Sequence, residues 1–122
     1  MARRIETGDG REALAAVDDA LARDTRPGRT ETATAVRYLL QLLGERAPGH
    51  TVEVRVPPFG AVQVIEGPRH TRGTPANVIE LNPLTWVLVA TGQRSWADEL
   101  EAGRIQASGT RADISALLPL LT

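Results

Sequence analysis

No cysteine occurs anywhere in the 122 residues, which excludes disulfide staples, thiolate nucleophiles and thiolate metal sites at once. Lysine is equally absent. All 14 basic residues are Arg, a bias that reflects a GC-rich coding sequence, as in a GC-rich bacterium, rather than a physical demand. Aromatics are scarce: two Trp, one Tyr and one Phe. His50 and His70 are the only histidines, so a transition-metal site would rest mostly on carboxylates; none is expected, nor any cofactor. Excess charge is missing too. The 14 basic and 15 acidic residues leave a formal net charge of −1, which gives no general attraction to phosphate backbones or anionic membrane surfaces. Nucleic acid is therefore not an expected partner. The strongest apolar runs, residues 86–90 and 117–121, fall far short of the roughly 20 residues a membrane span needs, so no integral membrane contact is expected. The opening MARRIETGDGRE has two Arg with no apolar stretch behind them, and no secretory signal is visible. The expectation is a soluble, cytoplasmic protein.

What remains is a balanced globular composition, 42% hydrophobic and 24% charged, of a length that suits one core. Residues 1–122 read as a single domain with a polar arm over about 1–8. Leu14, Val17 and Leu21 recur at helical spacing, predicting a helix over 9–23. A second helix over 31–46, with Thr30 as N-cap, places Val36, Leu39, Leu40 and Leu43 on one stripe. From Thr51 the period changes to two: Val52, Val54 and Val56 alternate with Glu53 and Arg55, as in a strand covered on one face. Pro57-Pro58-Phe59-Gly60 is a tight connection to a returning strand over 61–66, and a loop over 67–75 follows. Residues 77–81 form a third strand, and Asn82-Pro83 starts a helix that stops at Gly92. Ser95 with Asp98 opens a short helix over 96–102 that Gly103 closes. A strand over 104–108 precedes a last helix carrying Ile114, Leu117, Leu118 and Leu121, a stripe expected to lie on the sheet. Leu117→Ala should then cost about 2–5 kcal/mol.

The order strand, helix, Gly, short helix, Gly, strand, Gly, amphipathic helix over 76–121 resembles the C-terminal half of sterol carrier proteins. The residues concerned are Leu88-Val89-Ala90-Thr91-Gly92, Ala102-Gly103-Arg104-Ile105, and Ser108-Gly109 leading to residues 114–118. More closely, Val54-Arg55-Val56-Pro57-Pro58-Phe59-Gly60-Ala61-Val62-Gln63 and Arg69-His70-Thr71-Arg72-Gly73-Thr74-Pro75 are similar to a family of small bacterial sterol-carrier orthologues. This resemblance runs from about residue 33 to the end. It implies an α/β domain of the α+β type: a four- to five-stranded sheet, helices packed on one face, and an apolar cavity between the layers holding lipid-like molecules.

The segment Arg69-His70-Thr71-Arg72-Gly73-Thr74 concentrates hydrogen-bonding chemistry. Its guanidinium groups, imidazole and hydroxyls could clamp a carboxylate or phosphate; the plainer reading is a solvated loop whose Arg side chains pair with Glu66 and Glu80. His70 could act as an acid or base, yet Ser95 and Ser115 read as helix residues and no G-x-S-x-G elbow occurs, so no catalytic residue is assigned. Trp86 and Trp96 sit beside aliphatics, where core packing and cavity lining are written alike. The candidate ligand contacts are Arg69, His70 and Arg72 for an acidic end, and Val62, Val64, Trp86 and Ile105 for an apolar body. Two functions stay open. One is non-catalytic binding of a lipid-like or other small apolar molecule. The other is a protein-interaction or homodimer module with a packed core.

Overall fold

Alternation of apolar and charged side chains at 52–56 does produce a strand, and the sheet grows on both sides of it. The computed structural model describes residues 3–67 and 77–121. Within them the elements run α1 (Thr7–Ala22), α2 (Arg29–Arg46), β1 (Val52–Val56), β2 (Gly60–Val64), β3 (Asn77–Leu81), α3 (Pro83–Ala90), α4 (Trp96–Glu101), β4 (Ile105–Ser108) and a 3-10 turn (Ser115–Leu117). The strand order is β2-β1-β3-β4. β1 is antiparallel to β2 and parallel to β3, and β3 is antiparallel to β4.

Register gives the sheet two unlike faces. Val52 stands opposite Val64 and Asn77, Val54 opposite Val62 and Ile79, and Leu81 opposite Ile105. Residues one position on, Gln63, Glu80, Gln106 and Ser108, are exposed, and Glu53 pairs with Arg55 on that same side. The apolar face is therefore the one the helices cover, giving the α+β architecture expected. Val36, Leu39, Leu40 and Leu43 of α2 are all buried, as are Trp86 and Val87 of α3. The Trp86 indole N–H donates to Val36 O at 3.2 Å, so the largest core side chain also ties α3 to α2. α1 lies on α2 where a Cβ at Gly10 would fall 2.3 Å from the Tyr38 ring, a contact only glycine permits.

Most helix boundaries follow their caps. Thr85 N–H donates to Asn82 Oδ1 (2.9 Å) and Asp98 N–H to Ser95 Oγ (3.0 Å); Gly92 and Gly103 sit at φ +76° and +78°, the left-handed conformation expected after a helix end. Three of the boundaries up to β4 differ from the sequence-based expectation by two residues, the others by at most one. α1 starts at Thr7, inside the expected arm. α2 starts at Arg29 with Gly28 as N-cap, not Thr30, because Gly28 already holds the extended conformation of a cap and glycine is accepted there. β2 stops at Val64, because Ile65 turns to φ +69° and donates its N–H to Ala47 O.

The last helix does not form. Only the single turn Ser115–Leu117 is helical, and Leu118 is extended at φ −103°, ψ 151°. Pro119 is the cause: proline drives the residue before it out of the helical region and brings no N–H of its own. Without a helical ladder the tail carbonyls need other donors. Arg46, in the last turn of α2, supplies them to Leu117 O (2.9 Å), Pro119 O (2.9 Å) and Leu120 O (3.2 Å), while Leu120 N–H donates to Ala90 O. Ile114 and Leu120 are buried, whereas Leu117, Leu118 and Leu121 are half-buried. The stripe expected on the sheet is thus replaced by a strap fastened across the ends of α2 and α3. Truncation costs should rank accordingly. Leu120→Ala should lose about 2–4 kcal/mol and Leu117→Ala clearly less, about 1 kcal/mol; urea unfolding of the two variants checks the order.

Candidate functional site

The N-terminal segment and the edge strand form two walls of a groove. Gln41 on α2 accepts the Ile5 N–H on Oε1 (2.8 Å) and donates through Nε2 to Ile5 O (3.0 Å). This side-chain clasp, with an Arg4–Glu45 ion pair, fastens the segment before α1 to α2. The opposite wall is β2, which has β1 on one side and no strand on the other among the described residues. Gly60, Ala61 and Val62 are too small to fill the gap. An open groove of about 730 Å³ results, with Ile5, Leu40, Phe59 and Val62 as its apolar surface and Arg3, Thr34, Arg37 and Gln41 as its polar rim. A volume of that size suits a small ligand.

Phe59 divides this groove from a second hollow of about 310 Å³, whose lining adds Arg29, Thr30, Ala33 and Pro58 to the shared Thr34, Arg37 and Phe59. Two arginines fix that aromatic partition. Arg37 Nε donates to Phe59 O at 2.8 Å, and the Arg29 guanidinium carbon lies 5.3 Å over the ring centroid, a cation–π arrangement. Neither lining contains Asp or Glu. The site therefore joins an apolar trough to a cationic end, on a chain whose overall charge is nearly balanced.

Of the described residues read from the sequence as ligand contacts, only Val62 lines this groove. Val64 and Trp86 are fully buried and Ile105 is 3% exposed, so these three side chains pack within the core; the Trp86 indole N–H is already committed to Val36. Arg69, His70 and Arg72, with the rest of their loop, lie outside the described residues. His50 meets Gln63 (2.7 Å). Sequence reasoning missed Ile5, Thr34, Arg37 and Gln41. The spacing of Thr30, Thr34, Arg37 and Gln41 on one side of α2 was a usable signal, but the pairing of Gln41 with Ile5 spans 36 residues and has no local signature. Among the described residues no group of His, Asp and Glu could hold a metal, and no helix is long and apolar enough to cross a membrane.

A mixed sheet with helices on one face, bordered by an apolar groove, is a small α+β domain of the sterol-carrier type. Residues 28–120 match the family described as bacterial SCP ortholog, SCP standing for sterol carrier protein, and the chain belongs to that family. Membership points to apolar-ligand binding as a class. The match starts at the N-cap of α2 and leaves α1 and the Ile5 wall of the groove outside it. No curated protein matches the chain.

One buried charge lies elsewhere. Glu99 of α4 is 2% exposed, and Arg104 holds it through Nε to both carboxylate oxygens (3.0 Å each) and Nη2 to Oε2 (2.7 Å). Those bonds hold the carboxyl below the usual carboxylate range; burial opposes them, and the charges of Arg104 and the nearby Arg94 help. The pair closes the α4–β4 corner and does not line the groove. Since the folded-state pKa is the lower one, the pair's contribution is complete above the unfolded value, about 4.3. It is lost as pH falls from there through the folded value. In urea unfolding the advantage of wild type over Glu99→Gln at pH 7 should shrink at pH 3. An unchanged advantage would show that ionisation of Glu99 contributes nothing.

Proposed function

We propose that this chain is a non-catalytic carrier or sensor that holds a lipid-like molecule in the groove between α2, β2 and the Ile5 segment, in the bacterial cytoplasm. The observation that carries the reading is the apolar trough of Ile5, Phe59 and Val62 over the buried Leu40, which is open to solvent although larger side chains could have closed it. Apolar surface left uncovered in this way gains free energy when an apolar molecule covers it, about 25 cal/mol per Å², and a trough of this volume can cover much of a single alkyl chain. Family membership supports the same class of ligand. Among the described residues the polar side chains of the groove are guanidinium, amide and hydroxyl groups, with no nucleophile beside a base. These donors suit recognition rather than acid–base chemistry.

The burial of Val64, Trp86 and Ile105 favours the alternative, an interaction or dimer module with a packed core and no ligand. Direct binding separates the two. A fluorescent long-chain probe should bind wild type saturably at one site. Thr34→Trp, which places a large side chain where the trough meets the second hollow, should weaken it roughly tenfold or more with the far-UV spectrum unchanged. Absence of saturable binding, with a dimer seen by native mass spectrometry, would favour the interaction module.

A further inference from the structure

The hollow beyond Phe59 differs in chemistry from the trough beside it. Its lining is two guanidinium groups, Arg29 and Arg37, two hydroxyls, Thr30 and Thr34, the small Ala33 and the Pro58-Phe59 tip. We infer that this hollow is a head-group site for a carboxylate or phosphate, so that the molecule in the groove is a single-chain amphiphile with an anionic end. The inference rests on the groove reading above and adds the class of ligand.

Three observations carry it. First, the charge is one-sided: neither hollow has an acidic lining residue, and among the described residues the ion pairs involve Arg4, Arg23, Arg55 and Arg104 but neither Arg29 nor Arg37. Second, Arg37 is already oriented. Its Nε donates to Phe59 O, which fixes the guanidinium plane and leaves the Nη groups for another acceptor; a planar cation held in advance loses less freedom on meeting an anion. Third, trough and hollow share a wall. Thr34, Arg37 and Phe59 line both, so one molecule can lay its chain over Ile5, Leu40 and Val62 and its head past Phe59. Charge complementarity also argues against a second copy of this chain in the same groove, since a two-fold contact would set arginine against arginine.

Titration calorimetry with dodecanoate, dodecyl phosphate and methyl dodecanoate, each below its micelle concentration, tests the inference. Both anions, or the one whose head the hollow fits, should bind wild type roughly 10- to 100-fold more tightly than the ester, as charge-assisted hydrogen bonds do when partly shielded. Arg29→Ala should narrow that contrast several-fold, with its affinity for the ester reporting whether Phe59, under the Arg29 guanidinium, has kept its place, and added salt should narrow it as well. Arg37→Ala also releases the Phe59 carbonyl, so its affinity for the ester reports whether the trough survived the substitution. A gain for one anion alone identifies the head as carboxylate or phosphate. Equal affinity for anions and ester in wild type would overturn the head-group site and leave the groove standing. Failure of all three to bind would remove the groove reading and this inference with it.

Discussion

One apolar sheet face has to be covered, and the way α2 covers it determines the rest of the molecule. The helical period places Val36, Leu39, Leu40 and Leu43 inward, where all four are buried. The same period brings Thr34, Arg37 and Gln41 alongside β2. An edge strand exposes unpaired backbone groups and invites unwanted pairing. Here α2, the Ile5 segment and a row of arginines stand guard over it, and the small residues of β2 leave a trough between the guards. The groove is a consequence of how the sheet edge is covered, with no separate element built to make it.

Backbone accounting explains the parts that carry no regular structure. The C-terminal strap has no ladder of its own, yet Arg46 and the end of α3 satisfy its exposed carbonyls and amides. Asn77 plays a similar part at the other end of the sheet: its Nδ2 donates to Thr51 O (3.0 Å) and its Oδ1 accepts Arg111 N–H (2.9 Å). A polar side chain with both ends bonded can be buried beside apolar strands at little cost. No buried polar side-chain atom lacks a partner among the described residues.

Local rules were legible in the sequence wherever they acted alone. Period two gave β1, Asn82 and Ser95 gave the starts of α3 and α4, and Gly92 and Gly103 gave their ends. The C-terminal helix failed because its apolar spacing competed with Pro119, and the proline prevailed. The groove was not legible, because a trough is made by what two distant segments fail to fill. Trp86, Val64 and Ile105 looked equally suited to a tunnel wall or a core, since both are written with the same side chains; burial alone distinguishes them. The bacterial sterol-carrier resemblance, carried by the 54–63 and 69–75 runs, anticipated both family and sheet.

The central claim is that an apolar ligand sits in the α2–β2 groove at the edge of the sheet and does not enter the core beneath the helices. Chemical-shift mapping of the ¹⁵N-labelled protein during titration with dodecanoate tests it most directly. The account predicts shifts concentrated at the amides of Ile5, Thr34, Gln41 and Val62, with the Trp86 indole N–H, bonded to Val36, unmoved. Movement of the Trp86 indole and the Ile105 amide with the groove residues unchanged would place the ligand in the core and contradict it.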